Sequence, residues 1–278
     1  MNERVSERVI EGRASRLRIA GAVAEFSHQR PQKRNALGVE LRDDYDELLD
    51  RLDADPSIRV LILSGSGGSF CSGGDIGSMQ ARVEQGGTAD EMRQRMQRVH
   101  RLVRGLHELE LPVIAAVDGP AYGAGFGLAL LADIVLASTR AVFCASFARI
   151  GAIPDFGLLY TLPRRIGMAH AKEVVLSARR IDAAEALALG VADRLEAPDG
   201  LLPAAHDLAA RLCDGPRAAA GMAMRLLDRS FETDFASMCA AEADAQALAM
   251  SSSYHAEAVA RFTAGQPLRF DWDRAKAS

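Results

Sequence analysis

The sequence predicts an α/β fold in which a parallel sheet with crossover helices is followed by a helical C-terminal region. Three observations carry this. Two short apolar runs, residues 60–63 (VLIL) and 113–117 (VIAAV), read as buried strands. Each is followed by a glycine-rich loop, SGSGGSFCSGGD and DGPAYGAGFG, and then by a helix-forming stretch. Strand, glycine loop and helix, twice in series, is the pattern of parallel strands joined by helices. From about Leu201 onward the chain is nearly all alanine-rich helix.

The elements follow in order. Residues 17–26 alternate apolar and polar, as a half-buried strand does. RPQKRNAL is a loop, and residues 39–52 carry apolar positions at helical spacing. After the first glycine loop, residues 89–109 form a long arginine-rich helix that Pro112 stops. The second glycine loop leads into an apolar helix, then a strand IVLA and its neighbour AVFCA. Beyond Asp155 the chain turns helical. Asp182 and Glu185 in RIDAAEA form a capping box, with Gly190 as the stop. Pro216 suits the first turn of a late helix. The boundary falls at APDG, giving a core over 1–200 and a helical region over 201–278.

Bulk properties exclude several classes. Of 278 residues, 49% are hydrophobic and 25% charged, an ordinary globular balance. A net charge of −4 offers no basic face for nucleic acid. No apolar run reaches the roughly 18 residues of a membrane span; the longest candidate, 121–137, is broken by glycines and Asp133. Cys71, Cys144, Cys213 and Cys239 show no metal-ligand spacing and read as free thiols in a reducing compartment. With no apolar segment in the charged N-terminal stretch MNERVSERVIEGR, they point to the cytoplasm. His100 and His107 share a face of the arginine-rich helix, but no carboxylate or cysteine stands in register with them, so no metal is expected.

A glycine loop between a strand and a helix leaves backbone N–H groups unpaired at the helix start, where an anion or a developing oxyanion is the natural guest. Two such loops could each give one donor to a single oxygen. They could equally be tight connections and nothing more. Neither fits a phosphate loop, since no Gly-Lys-Ser/Thr follows, and GAGFG lacks the third glycine of a dinucleotide fingerprint.

Taken together, SFCSGGDI, LPVIAAVDGPAYGAGFGLALLADIVLAS, FARIGAIPDFGLLYTLPRRIG and LSARRIDAAEALALGVADRLE resemble the crotonase (enoyl-CoA hydratase/isomerase) superfamily, in its usual order and spacing. RPQKRNAL resembles that family's early Asn-Ala-Leu signature. The resemblance implies a spiral of ββα units with a C-terminal helical trimerisation region, a homotrimer or hexamer, and acyl-coenzyme A thioester substrates. No separate cofactor is implied, since coenzyme A enters with the substrate. It also implies an oxyanion hole formed by the N–H groups of Gly74 and Ala124. Coenzyme A would lie along Lys33, Arg34, Ser72, Asp75 and Ile76, and the acyl pocket against Met79, Phe147 and Tyr160. Lys33 and Arg34 could instead be solvated loop charges. Tyr160 reads as core or pocket wall, Asp75 as a helix cap, and Asp133 as the start of a strand. Gly265 and Gln266 stand where many members carry a basic pair.

The sequence departs from the hydratases at two positions. By alignment of the motifs, their two glutamates fall at Gly127 and Phe147. One acid/base group is typically worth about 10²–10⁴ in rate, so efficient hydration is not expected. One carboxylate remains, Asp155 in GAIPDFG, resembling the acid/base aspartate of dienoyl-CoA isomerases. It has a second reading as the N-cap of a helix beginning near Phe156. The favoured function is therefore enoyl-CoA or dienoyl-CoA isomerisation through Asp155. The alternatives are a weak hydratase and a non-catalytic acyl-CoA-binding protein of the same fold.

Overall fold

The computed structural model describes residues 7–272; the first six residues of the charged N-terminal stretch and the last six of the C-terminal region lie outside it. Strands β1 (Glu7–Glu11), β2 (Ser15–Ala20) and β3 (Val23–His28) form an antiparallel meander. The single alternating strand expected over 17–26 is thus a hairpin, because Gly21 at φ 58° reverses the chain within it. Alternation survives in both arms and hides the turn. Helix α1 (Val39–Ala54) crosses over to β4 (Val60–Gly65), which lies parallel to β3. Helices α2 (Ile76–Glu84) and α3 (Ala89–His107) follow, then β5 (Val113–Val117), parallel to β4.

Next come β6 (Pro120–Tyr122), α4 (Ala124–Leu130), β7 (Ile134–Ser138), β8 (Val142–Cys144), α5 (Leu158–Ser177), β9 (Arg180–Asp182), α6 (Ala183–Leu189) and β10 (Arg194–Glu196). The seven-stranded sheet runs β1-β2-β3-β4-β5-β7-β10, and β6-β8-β9 form a second sheet. Of the capping box expected at Asp182 one half forms, its carboxylate accepting from the Glu185 N–H (2.9 Å), while the Glu185 carboxylate is held by Arg179 instead; Gly190 ends α6 in the left-handed conformation. Helices α7 (Leu201–Cys213), α8 (Arg217–Asp228), α9 (Phe235–Met250) and α10 (Ser253–Thr263) complete the described chain.

The central strands read as continuous apolar runs because both faces are covered. Leu61 and Leu63 of β4 face the main core, with Leu41, Tyr45 and Leu48 of α1 and Leu102 and Leu106 of α3. Val60 and Ile62 face the other way, onto Leu201, Ala205 and Leu208 of α7. Helix α7 therefore closes the outer face of the sheet. No residue of α9 or α10 is buried.

Beneath the first glycine loop lies a buried polar pair. His28 Nδ1 is 2.9 Å from the Phe70 carbonyl and Nε2 is 2.7 Å from the Tyr45 hydroxyl. A carbonyl only accepts, so Nδ1 carries the proton and Nε2 accepts from Tyr45. Burial pushes the His28 pKa down to about 4. The unfolded chain takes up this proton near 6.5 and the folded one not until about 4. His28's contribution is thus complete above pH 6.5 and lost as pH falls through that window, by up to about 3 kcal/mol. Asp133 and Asp155, both raised to about 6 by burial, act with the opposite sign. Comparing wild type with His28→Gln by urea unfolding isolates the histidine's share. We expect wild type to lose its advantage between pH 7 and pH 5, and a constant gap would contradict the assignment.

Candidate active site

The two glycine loops meet. Cys71 makes two backbone hydrogen bonds across them, accepting from the Tyr122 N–H at 2.9 Å and donating its own N–H to Pro120 O at 3.0 Å. Gly73, at φ 94°, passes so close to the second loop that a Cβ there would stand 2.7 Å from Tyr122 O and 3.6 Å from the Ala124 nitrogen. Only a residue without a side chain permits that approach. Ala124 is the first residue of α4, so its N–H has no carbonyl one turn earlier to receive it. Gly74 lies two residues ahead of α2, whose N-cap is Asp75, accepting from the Ser78 N–H at 2.9 Å.

Gly74 and Ala124 both line one cavity of about 860 Å³, and Asp155 lines it too. So do Met79, Phe147, Tyr160, Ser72 and Ile76 from the expected set. Lys33, Arg34 and Asp75 sit beside the cavity without lining it. Lys33 Nζ pairs with Asp75 at 3.3 Å, and Ser72 binds the backbone carbonyls of Lys33 (3.3 Å) and Arg34 (2.9 Å). The Asn-Ala-Leu segment has a structural role. Buried Asn35, at φ 55°, donates to the carbonyls of Ser66 (3.0 Å) and Ser69 (2.6 Å) and accepts from the Arg30 N–H at 2.9 Å. It thereby ties RPQKRNAL to the first glycine loop. Tyr160 is a wall whose hydroxyl is engaged elsewhere, donating to Asp228 O at 2.8 Å.

Asp155 does not cap α5. The helix begins at Leu158 with Gly157 as N-cap, and no side chain caps it. The reason is the backbone ahead of it: Phe156 and Gly157 are both left-handed, at φ 51° and 72°. That pair holds the carboxylate off the helix axis. A left-handed bulky residue is costly, of order 1–3 kcal/mol, and such costs gather at functional sites. Asp155 Oδ1 is buried with no hydrogen-bond partner among the described residues. Burial raises its pKa to about 6. A desolvated carboxylate titrating near neutrality in a cavity is suited to taking and returning a proton.

Gly127 carries no acid/base group, and there is no room for one. A Cβ at 127 would stand 2.7 Å from Phe156 Cβ and 2.8 Å from Phe156 O. The Asp155–Phe156 backbone fills that space. Phe147, nearly buried, gives the cavity an aromatic wall. The sequence reading places the shaping of the pocket in residues 79–98, which hold Met92 and Met96 without singling them out, and it misses His100 and Ser146 as wall residues. Met92, Met96 and His100 recur at helical spacing on α3, so one face of that helix was the available signal. Among the described residues no His, Cys, Asp or Glu cluster could hold a metal, and no helix is long and apolar enough to cross a membrane.

Comparison with known proteins places this geometry. A family model described as Enoyl-CoA hydratase/isomerase matches residues 18–272. A 1,2-epoxyphenylacetyl-CoA isomerase of Escherichia coli is 33% identical over 249 residues, covering 89% of this chain and 94% of that protein. A carnitinyl-CoA dehydratase of Proteus mirabilis is 34% identical over 201 residues, 70% of this chain and 72% of that one. The crystal structure of an enoyl-CoA hydratase/isomerase from Cupriavidus metallidurans superposes with a TM-score of 0.91 at 35% identity, covering 96% of this chain and all of the other. With paired glycine loops opening on one cavity, two sheets and trailing helices, the chain belongs to the enoyl-CoA hydratase/isomerase (crotonase) superfamily.

Proposed function

We propose that this chain isomerises enoyl-CoA or dienoyl-CoA thioesters, with Asp155 moving the proton and the N–H groups of Gly74 and Ala124 holding the thioester oxygen. For a β,γ-unsaturated thioester, the Asp155 carboxylate takes a proton from Cα. The electron pair runs into a dienolate whose oxygen charge the two N–H groups stabilise. The neutral acid then returns the proton to Cγ, leaving the double bond conjugated with the carbonyl. One carboxylate suffices, and no water is consumed. The observation that carries this reading is the Asp155 carboxylate, one oxygen of which is buried without a hydrogen-bond partner among the described residues, on the same cavity as both loop donors. The isomerase name of the E. coli relative, aligned along most of this chain, supports the class of reaction.

The test sets migration against hydration. A 3-enoyl-CoA should gain the absorbance of the conjugated thioester, whereas crotonyl-CoA should lose it only slowly. Hydration of crotonyl-CoA at roughly 10–10³ per second, the range of efficient enzymes, would overturn the reading. Gly127→Glu should not create a hydratase. Overpacking against Phe156 costs typically 1–3 kcal/mol of stability, so a lowered melting temperature without gained hydration is expected.

The C-terminal helices support assembly into a trimer or a pair of trimers. Phe231, Phe235, Leu227, Leu248 and Phe262 are all exposed in the single chain. Apolar surface of that extent marks an interface.

A further inference from the structure

The acyl cavity has a second room. A cleft of about 650 Å³ between α1, α2 and α3 adjoins it, and Arg42, Arg82, Arg95 and Val99 line both. Arg98 and Arg101 complete a set of five guanidinium groups on the cleft wall, against three carboxylates, Asp43, Asp46 and Glu91. Glu91 is occupied, accepting from the Thr88 N–H (2.7 Å) and hydroxyl (3.1 Å) in the capping box of α3. Among the described residues, none of the five arginines forms an ion pair, whereas Arg93 and Arg104 on the same helix pair with Asp90 and Glu108. Arg42 is half-buried. Its burial lowers its pKa, Arg82 and Arg98 push the same way, and Asp43 and Asp46 oppose them. Arg82 and Arg95 are half-buried too, while Arg98 and Arg101 are exposed, and the five outnumber the cleft's carboxylates without a close ion pair to any of them. Cations crowded in this manner suit an incoming anion.

The position of the cleft says which end of the substrate reaches it. Gly74 and Ala124 fix the thioester carbonyl under the proposed function, on which this inference rests. None of Ser72, Lys33, Arg34 and Asp75, to which the family resemblance assigns the coenzyme, lines the cleft. Val99, which lines both spaces, shares a face of α3 with Met92 and Met96, apolar walls of the larger cavity that fit an acyl chain. We infer that the substrate's acyl chain ends in a carboxylate, an ω-carboxyacyl thioester, which Arg42, Arg82 and Arg95 receive at the junction of the two spaces.

The experiment compares saturated thioesters of one chain length, the ω-carboxyacyl-CoA and its methyl ester, by calorimetric titration. Binding needs no proton transfer, so this result stands even if Asp155 proves not to be the base. The free acid should bind about 10- to 100-fold more tightly, the worth of one or two charge-assisted hydrogen bonds. Arg42→Met should bring its affinity down to that of the ester. Arg95→Gln, on the far side of the junction, should reduce the preference in the same direction and serves if Arg42→Met fails to fold. Equal affinity of acid and ester for the wild type would overturn the inference. So would arginine variants that weaken acid, ester and free coenzyme A by one common factor, since the guanidinium groups would then be binding the phosphates of the coenzyme. In steady-state isomerisation, kcat/KM should favour the unsaturated free acid over its ester by a similar ratio.

Discussion

Asp155→Asn is expected to slow double-bond migration by about 10²-fold or more, with thioester binding retained. The amide keeps the shape of the side chain and cannot accept and return a proton. Exchange of solvent deuterium into the product should fall in parallel, because the same group carries the proton in both processes. Wild-type activity should drop as pH falls through about 6, where the buried carboxylate becomes protonated. The variant's residual rate should lack that inflection. Stability should move the opposite way. The folded carboxylate titrates at about 6 against 3.8 for the free group, so its ionised form costs the fold roughly 3 kcal/mol above pH 6. Below about pH 3.8 both states are protonated and the cost is gone. Asp155→Asn should therefore raise the melting temperature at neutral pH and lose that advantage in acid. Unchanged migration and exchange would remove Asp155 as the proton carrier. A variant less stable than wild type at pH 7.5 would show that burial does not dominate its electrostatics.

Ala124→Pro should lower kcat by about 10²–10³, the usual consequence of removing one donor from an oxyanion hole. Proline is accepted at the first position of a helix, where its missing N–H breaks no intrahelical bond. The preceding residue is Gly123, at φ 53° and ψ −122°, the mirror image of an extended conformation, with no Cβ to meet the proline ring. The substitution therefore acts on the donor while α4 is retained. Circular dichroism and free coenzyme A binding should match wild type. A near-normal kcat would mean that the thioester oxygen is held elsewhere.

Much of this architecture is legible in the sequence, and the failures have physical causes. Val60 to Leu63 and Val113 to Val117 are readable as central strands because burial on both faces leaves no polar position to blur the run. The turn at Gly21 is hidden because both arms of the hairpin keep one alternation. Strands β6, β9 and β10 have three residues each, too short for any period to register. Thr88 and Glu91 spell out the start of α3, a capping signal as plain as the one at Asp182. At the site, the glycine loops mark where a donor could stand, and it is the family resemblance of their motifs and of GAIPDFG that singles out Gly74, Ala124 and Asp155. The relation of Asp155 to the helix is not legible, since no propensity rule places a phenylalanine in the left-handed region; tertiary packing imposes it. Helix α7 joins the core although its composition matches the helices after it, because composition does not say which apolar face finds a partner.

The contact between residue 127 and the Asp155–Phe156 backbone bears on how reaction types can diverge within this fold. A side chain at 127 and the left-handed turn at 156 compete for one volume, so in this chain a glutamate at 127 and the present Asp155–Phe156 turn exclude each other. A lineage passing from proton shuttling to water addition would have to reset the turn and the side chain together. Each single step would be met by a clash or a void, at a stability cost of the size that purifying selection removes. Directed evolution towards hydration should therefore begin with the loop from Gly151 to Gly157 exchanged as a block, and the carboxylate at 127 introduced only afterwards.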